Sequence, residues 1–298
     1  MGIINEDRFI ETVHMKGLQI SLLASGDGTE VIYHKLHADT RWGLEPQEDW
    51  NAMEFIHILS GELVLQSDNP KKSYKAGDSF YKTPVKEHYY FQAEETTEFL
   101  YVTSQPVFHH YSKITKNLMD LAVSIEEKDG YTVDHCSRIN KLSMLFGEYL
   151  GFNSKQLMSL NIASFLHDVG KLKIPLAILR KPGKLTNEEW EIMKKHSEFG
   201  REILEQTGLP ILVQAGKIVE QHHERYDGKG YPYGLKGDEI SIEASIIAVV
   251  DSYDAIISDR VYRKGKTKDE AFQEILRCKG TMYNPYIVDI FLKMKDKI

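Results

Sequence analysis

The run Phe165-Leu166-His167-Asp168-Val169-Gly170-Lys171-Leu172-Lys173-Ile174-Pro175 sets an imidazole and a carboxylate side by side among apolar residues. Neighbours on a helix point about 100° apart, so these two cannot stack on one face, yet they can reach two adjacent metal ions. Working outward, the same half of the chain holds His135, His196, the pair His222-His223 and Asp251, with successive positions 26 to 32 residues apart. That interval is about one helix plus a connection, which lets different helices converge on one pocket. Any single histidine could be a satisfied core or surface residue. Seven such residues in these contexts point to a metal centre, and imidazole with carboxylate suits Fe, Mn, Zn or Ni rather than the all-oxygen sites of Ca or Mg.

The residues around this constellation carry helical spacing. Leu118, Leu121, Ala122 and Ile125 predict a connecting helix that breaks at Asp129-Gly130. Ile139, Leu142, Leu145, Phe146 and Tyr149 form an apolar stripe ended by Gly151, and Thr186-Asn187-Glu188-Glu189 is a capping box opening a further helix. Before Pro106 the period is two instead. Leu18 to Leu22, Phe55 to Leu59, Leu63 to Gln66, Tyr89 to Gln92 and Phe99 to Thr103 read as strands. Ser60-Gly61 reads as a hairpin turn, Lys75-Ala76-Gly77-Asp78 as a later turn with a strand starting near Ser79, and Glu94-Glu95-Thr96-Thr97 as a polar turn. The fold class is therefore multi-domain: an all-β barrel or sandwich, then an all-α bundle, with the change near residue 110.

Composition bounds the function. The chain has 298 residues, 42% hydrophobic and 27% charged, which excludes disorder and fibrous repeats. Its 37 Lys and Arg against 44 Asp and Glu, a formal charge of -7, argue against a nucleic acid polymer as partner. Cys136 and Cys278 are too few for a disulfide framework, and no run approaches the roughly 18 apolar residues of a membrane span. Acidic residues at Glu6 and Asp7 stand where a signal peptide needs cations, so a cytoplasmic protein with no membrane attachment is expected.

The run from Phe165 to Pro175 resembles the HD phosphohydrolase signature, and His222-His223-Glu224-Arg225-Tyr226-Asp227-Gly228-Lys229-Gly230-Tyr231-Pro232 is similar to that of the HD-GYP subclass. The likeness extends over most of residues 115 to 295. It implies a cyclic di-GMP phosphodiesterase, an HD-GYP-type phosphoric diester hydrolase that yields linear pGpG, GMP or both. Cyclic GMP-AMP, another phosphoester, or cyclic di-GMP binding without hydrolysis are the alternatives. The resemblance implies that His135, His167, Asp168 and Asp251 hold one metal and Asp168, His196, His222 and His223 the other, two divalent ions per chain, Fe or Mn, with a metal-bridging hydroxide as nucleophile. Lys171 would set an ammonium beside the scissile phosphate, and Asp254, Arg260 and Arg263 would contact the dinucleotide. Gly230, Tyr231 and Pro232 would shape a loop over the site. Tyr131 stands where three-metal members carry Glu, Val261 where Pro is usual, and Asn284 where Asp is usual.

In the first half, Glu54 with Gly61, and Gly77 to His88 with Pro84, partly resemble the two cupin motifs. Glu48 and Trp50 occupy the region of the usual histidine ligands and only His88 remains, so a metal-free cupin-like barrel is expected, with His57 and His88 structural. Tyr89, Tyr90 and Phe91 could line a pocket or build a strand core. The expected organisation is a cupin-like sensory or dimerisation domain at 1–107, with a possible small-molecule ligand, a connecting helix at 108–128 and a phosphohydrolase domain at 129–298. A homodimer is expected.

Overall fold

A computed structural model of the chain describes residues 9–15, 17–66, 71–109, 135–259 and 264–298. They form two compact units, one all-β and one helical. The connecting helix expected at 108–128 lies almost wholly outside the described residues, as do Tyr131, Arg260, Val261 and Arg263.

Ten strands build the first unit: β1 (Glu11–Met15), β2 (Leu18–Gly26), β3 (Thr29–Leu36), β4 (Arg41–Leu44), β5 (Glu54–Ser60), β6 (Glu62–Leu65), β7 (Lys72–Lys75), β8 (Ser79–Lys82), β9 (Tyr89–Ala93) and β10 (Thr97–Thr103). They pair antiparallel in a six-stranded sheet, β1-β2-β3-β10-β5-β8, and a four-stranded sheet, β4-β9-β6-β7. This is the all-β, two-sheet architecture expected of the first half. Register places Ile32 opposite Tyr101 and Tyr101 opposite Ile56, so one face of each strand supplies the core with Leu36, Ile56, Ile58, Leu63, Phe91 and Phe99. Tyr89 and Phe91 belong to that core, and the space between Ile56, Leu63, Tyr74 and Phe80 has no room for a water molecule.

The hairpin expected at Ser60-Gly61 does not form. β5 pairs with β10 and β8, whereas β6 pairs with β7 and β9, so Gly61 carries the chain from one sheet to the other. Its φ of +80° suits glycine, and a Cβ there would lie 2.5 Å from Thr97 Oγ1 and 2.6 Å from the Thr96 carbonyl. Thr97 Oγ1 clamps the corner, accepting from the Glu62 amide at 3.0 Å. Alternation marks a strand but not its partner. The turn at Lys75 to Asp78 is as read, with the Asp78 carboxylate accepting from the Lys75 amide at 2.8 Å and β8 starting at Ser79.

Helices of the second unit are α1 (His135–Tyr149), α2 (Ser154–Phe165), α3 (Leu176–Leu179), α4 (Asn187–Lys194), α5 (His196–Glu205), α6 (Pro210–Gln221), α7 (Ile242–Ile257), α8 (Lys268–Arg277) and α9 (Pro285–Lys293), with a 3-10 turn at Val169–Lys173. Thr186 caps α4 through the expected box with Glu189, and Asn284 caps α9, its side chain accepting from the Tyr286 amide. α7 buries Ile246, Ile247, Val249, Val250 and Tyr253, and packs against α1, α6, α8 and α9. The face that α1 buries differs from the expected stripe: Ser143, Met144 and Gly147 join Ile139 and Phe146, while Tyr149 is exposed. A Cβ on Gly147 would lie 3.0 Å from both Leu157 and Leu160, so small residues let α2 approach and rotate the buried face toward them.

Glu45 lies buried just past β4, where burial, and then the charge of Glu54, push its carboxyl up to about 7 from 4.5. Within that window the folded chain keeps a proton that the unfolded chain has released, so this group's contribution to stability falls as pH rises and levels off above about 7. Chemical denaturation of wild type and Glu45→Gln should show their difference in unfolding free energy moving in favour of the variant by about 3 kcal/mol across it.

Candidate metal centre

Helix ends, rather than helix faces, carry the candidate ligands. His135 is the first described residue of α1, His167-Asp168 fills the turn between α2 and the 3-10 segment, His196 opens α5, and His222-His223 follows the last turn of α6. Asp251 comes from the interior of α7. Two groups result: Asp168 with His196, His222 and His223, and His135 with His167 and Asp251, each with donor atoms within 4.8 Å of one another. Asp168 faces both, with Oδ1 3.4 Å from His196 Nε2 and Oδ2 3.4 Å from His167 Nε2.

Gly170 makes this meeting possible. A Cβ on it would fall on the His196 carbonyl oxygen and the Gly200 amide, so the 3-10 turn touches the backbone of α5. Gly200 in turn leaves room for Val219 of α6, a side chain a Cβ would meet at 2.7 Å. Sequence reading missed both glycines as site residues. Their signal was a glycine two residues past the His167-Asp168 pair and another four past His196.

Hydrogen bonds fix the imidazoles. His167, His196 and His222 each set Nδ1 against the carbonyl three residues back, Ser164 at 3.0 Å, Met193 at 2.8 Å and Val219 at 2.6 Å. Because a carbonyl only accepts, Nδ1 carries a proton in each, and in the neutral ring Nε2 offers its lone pair inward. His167 Nε2 is fully buried without a well-formed hydrogen bond. An orphaned donor of this kind, among nitrogen and carboxylate groups alone, fits a transition metal.

Burial holds His196 at about 3 and His222 at about 4, and pushes His223 well below the ordinary range, so these rings are neutral. His167 differs: burial opposes its charge, but Asp168 beside it outweighs that and lifts it to about 9, so its Nε2 holds a proton that a bound metal would displace. Burial would raise Asp168, yet Lys171 and His167 hold it well below the usual carboxylate range. The Lys171 ammonium, on the 3-10 turn that follows, lies 2.9 Å from Asp168 Oδ2.

The loop after α6 packs on the histidine pair. Tyr231 lies over His223, ring centroids 4.9 Å apart, with Trp190 edge-on at 6.3 Å. A Cβ on Gly230 would strike the backbone of Glu224 and Arg225, and Glu224 accepts from the Tyr233 and Leu235 amides at 2.7 and 3.0 Å. Pro232 follows Tyr231 in this loop. Asp254, expected against the dinucleotide, lies elsewhere: it is fully buried and bonded to His135 and Arg138. Its carboxylate is occupied behind a candidate ligand. Burial would raise it, but Arg138 and then His135 hold it at about 2.

A protein-family model described as an HD domain matches residues 120–287, more than half of the chain, and the chain belongs to that family. A cyclic di-GMP phosphodiesterase of Thermotoga maritima is 41% identical over 197 residues, 66% of this chain and 54% of that protein. A 3'3'-cGAMP-specific phosphodiesterase 2 of Vibrio cholerae is 36% identical over 178 residues, 60% of this chain and 34% of that protein. The chain thus spans about half or less of the length of the curated relatives it matches. A solved structure of a cyclic GMP-AMP phosphodiesterase from V. cholerae, V-cGAP3, shares the fold at a TM-score of 0.50 and 16% identity, over 61% of this chain and 48% of that one. Among the described residues, no helix is long and apolar enough to cross a membrane.

Gly170→Ala should force the 3-10 turn off α5 and separate Asp168 from His196. The expected result is a loss of about 3 kcal/mol of unfolding free energy, the upper end of an ordinary overpacking penalty, together with metal content below that of wild type after identical loading.

Proposed function

We propose that the chain is a metal-dependent phosphodiesterase that hydrolyses cyclic di-GMP to linear pGpG, GMP or both. The observation that carries this reading is the convergence of seven ligand-type side chains in two adjacent groups, with Asp168 of one group also facing His167 of the other. His135, His167, Asp168 and Asp251 would hold one divalent ion and Asp168, His196, His222 and His223 the other, with Fe or Mn as the metals. Such a pair supplies an acidified water and a clamp on the attacking and leaving oxygens of an in-line displacement.

The chain's own residues do the rest. Asp168 keeps both groups in one frame, and Lys171 sets positive charge where charge develops on the phosphate. Tyr231 covers the His223 ring and limits water there. Arg260 and Arg263 would fork onto the phosphates or a guanine edge. Cyclic GMP-AMP is the second reading, favoured by the V. cholerae relative named for it. Residues 1–107 are read as the sensory or dimerisation unit, joined through 108–128 to the hydrolase at 129–298. In this reading the protein is cytoplasmic and homodimeric.

Anaerobically purified protein, loaded with Fe or Mn and given cyclic di-GMP and cyclic GMP-AMP in parallel, should release linear dinucleotide or mononucleotide, cyclic di-GMP faster, as read by chromatography. Asp168→Ala should lower turnover by at least about a thousandfold, the several kcal/mol that a metal centre contributes. Faster cyclic GMP-AMP turnover would move the assignment to the second reading, and tight binding without product would make the chain a receptor.

A further inference from the structure

Among the imidazoles of the two ligand groups, His167, His196 and His222 set Nδ1 against a main-chain carbonyl and His135 does not. His135 Nδ1 lies 2.8 Å from Asp254 Oδ2, a carboxylate 119 positions away in the chain. Arg138, three residues past His135 on α1, grips the same carboxylate, with Nε 2.5 Å from Oδ1 and Nη2 2.9 Å from Oδ2. Ser258 closes the cluster, its hydroxyl 3.3 Å from Asp254 Oδ2 and also 3.3 Å from Arg138 Nη2. The arrangement is a paired i, i+3 design: α1 brings His135 and Arg138, and α7 brings Asp251 and Asp254. The inner members, His135 and Asp251, face each other at 3.7 Å in the ligand group, and the outer members back them.

A carboxylate draws more of the Nδ1 proton toward itself than a neutral carbonyl does, which makes Nε2 the stronger donor. A fully buried carboxylate behind a ligand must itself be neutralised and kept from turning inward as a ligand, and the two-pronged guanidinium does both. Among the described residues, the hydrogen bonds of Asp254 and Arg138 run to His135, Ser258 and each other, while His196 and His222 of the second ligand group are fixed by carbonyls three residues back.

We infer that Arg138 and Asp254 are a positioning pair that sets the metal affinity of the His135–His167–Asp251 group and leaves the Asp168–His196–His222–His223 group unchanged. The inference rests on the metal-centre reading above, though not on which nucleotide is hydrolysed.

Mn2+ binding to the full chain, measured by chelator competition without substrate, tests it. Wild type should show two classes of site. Asp254→Asn and Arg138→Met should weaken one class by about 10- to 100-fold, the usual effect of removing such a partner, and leave the other as in wild type. Arg138→Lys should fall between, because an ammonium cannot fork. The single variants each strand a buried partner and lose thermal stability, so the double variant Arg138→Met/Asp254→Asn is decisive: it should regain unfolding temperature while its Mn2+ affinity stays low. Equal weakening of both classes, affinity that returns with stability in the double variant, or wild-type affinity in all variants would overturn the proposal. A wild-type chain that bound no Mn2+ would overturn the metal-centre reading and the proposal with it.

Discussion

At Gly170 the 3-10 turn that follows His167-Asp168 presses its backbone onto that of α5, and only a hydrogen atom fits between them. The helical unit depends on this contact. It brings Asp168 to His196, and Gly200 on the other side lets α6 close in with the His222-His223 pair at its end. Donors placed at helix ends need such close approaches, because an end can be aimed only where the neighbouring backbone allows. α7, more than half of whose residues are buried, gives these ends a post and adds Asp251 from its interior.

The site is dominated by the energetic cost of burying polar groups. Asp168, Asp251 and five histidines, four of them fully buried, crowd together here, and the chain meets that cost by keeping His196, His222 and His223 neutral and by placing Lys171 against Asp168. What remains is a set of lone pairs and carboxylate charge, which a divalent ion satisfies better than a proton or a water molecule. The β unit handles its buried Glu54 differently: this carboxylate accepts from Trp50 Nε1 at 2.8 Å and the Tyr101 hydroxyl at 2.7 Å, which occupy both oxygens.

Much of this was legible in the sequence, for definite reasons. Histidines beside aspartates at helix-length intervals are rare, and a position that must supply a lone pair has few substitutes, so the seven donors stood out. The all-β then all-α order showed in the change of period near Pro106. The partner of β6 was not legible, because period two says nothing of which sheet a strand joins, and Gly61 looks the same in a hairpin as at a corner. Tyr149 was misplaced because Ser143 and Gly147, which do not look apolar, decide how close α2 lies. Asp254 was recognised as belonging to the site but assigned to the wrong side of it, since an i, i+3 spacing from Asp251 cannot tell a group that faces the pocket from one that backs a ligand. Arg138 gave no signal, as an arginine near a helix start is ordinarily solvated.

The three imidazoles bonded to carbonyls three residues back have their orientation written into their own turns. Each such turn is complete as soon as its local segment forms, whatever the rest of the chain is doing. His135 is different, because its partner becomes available only when α1 has docked on α7. Of the imidazoles whose Nδ1 is held, His135 thus depends on how two helices pack, and a shift of α1 against α7 would turn this ring while His167, His196 and His222 kept their aim.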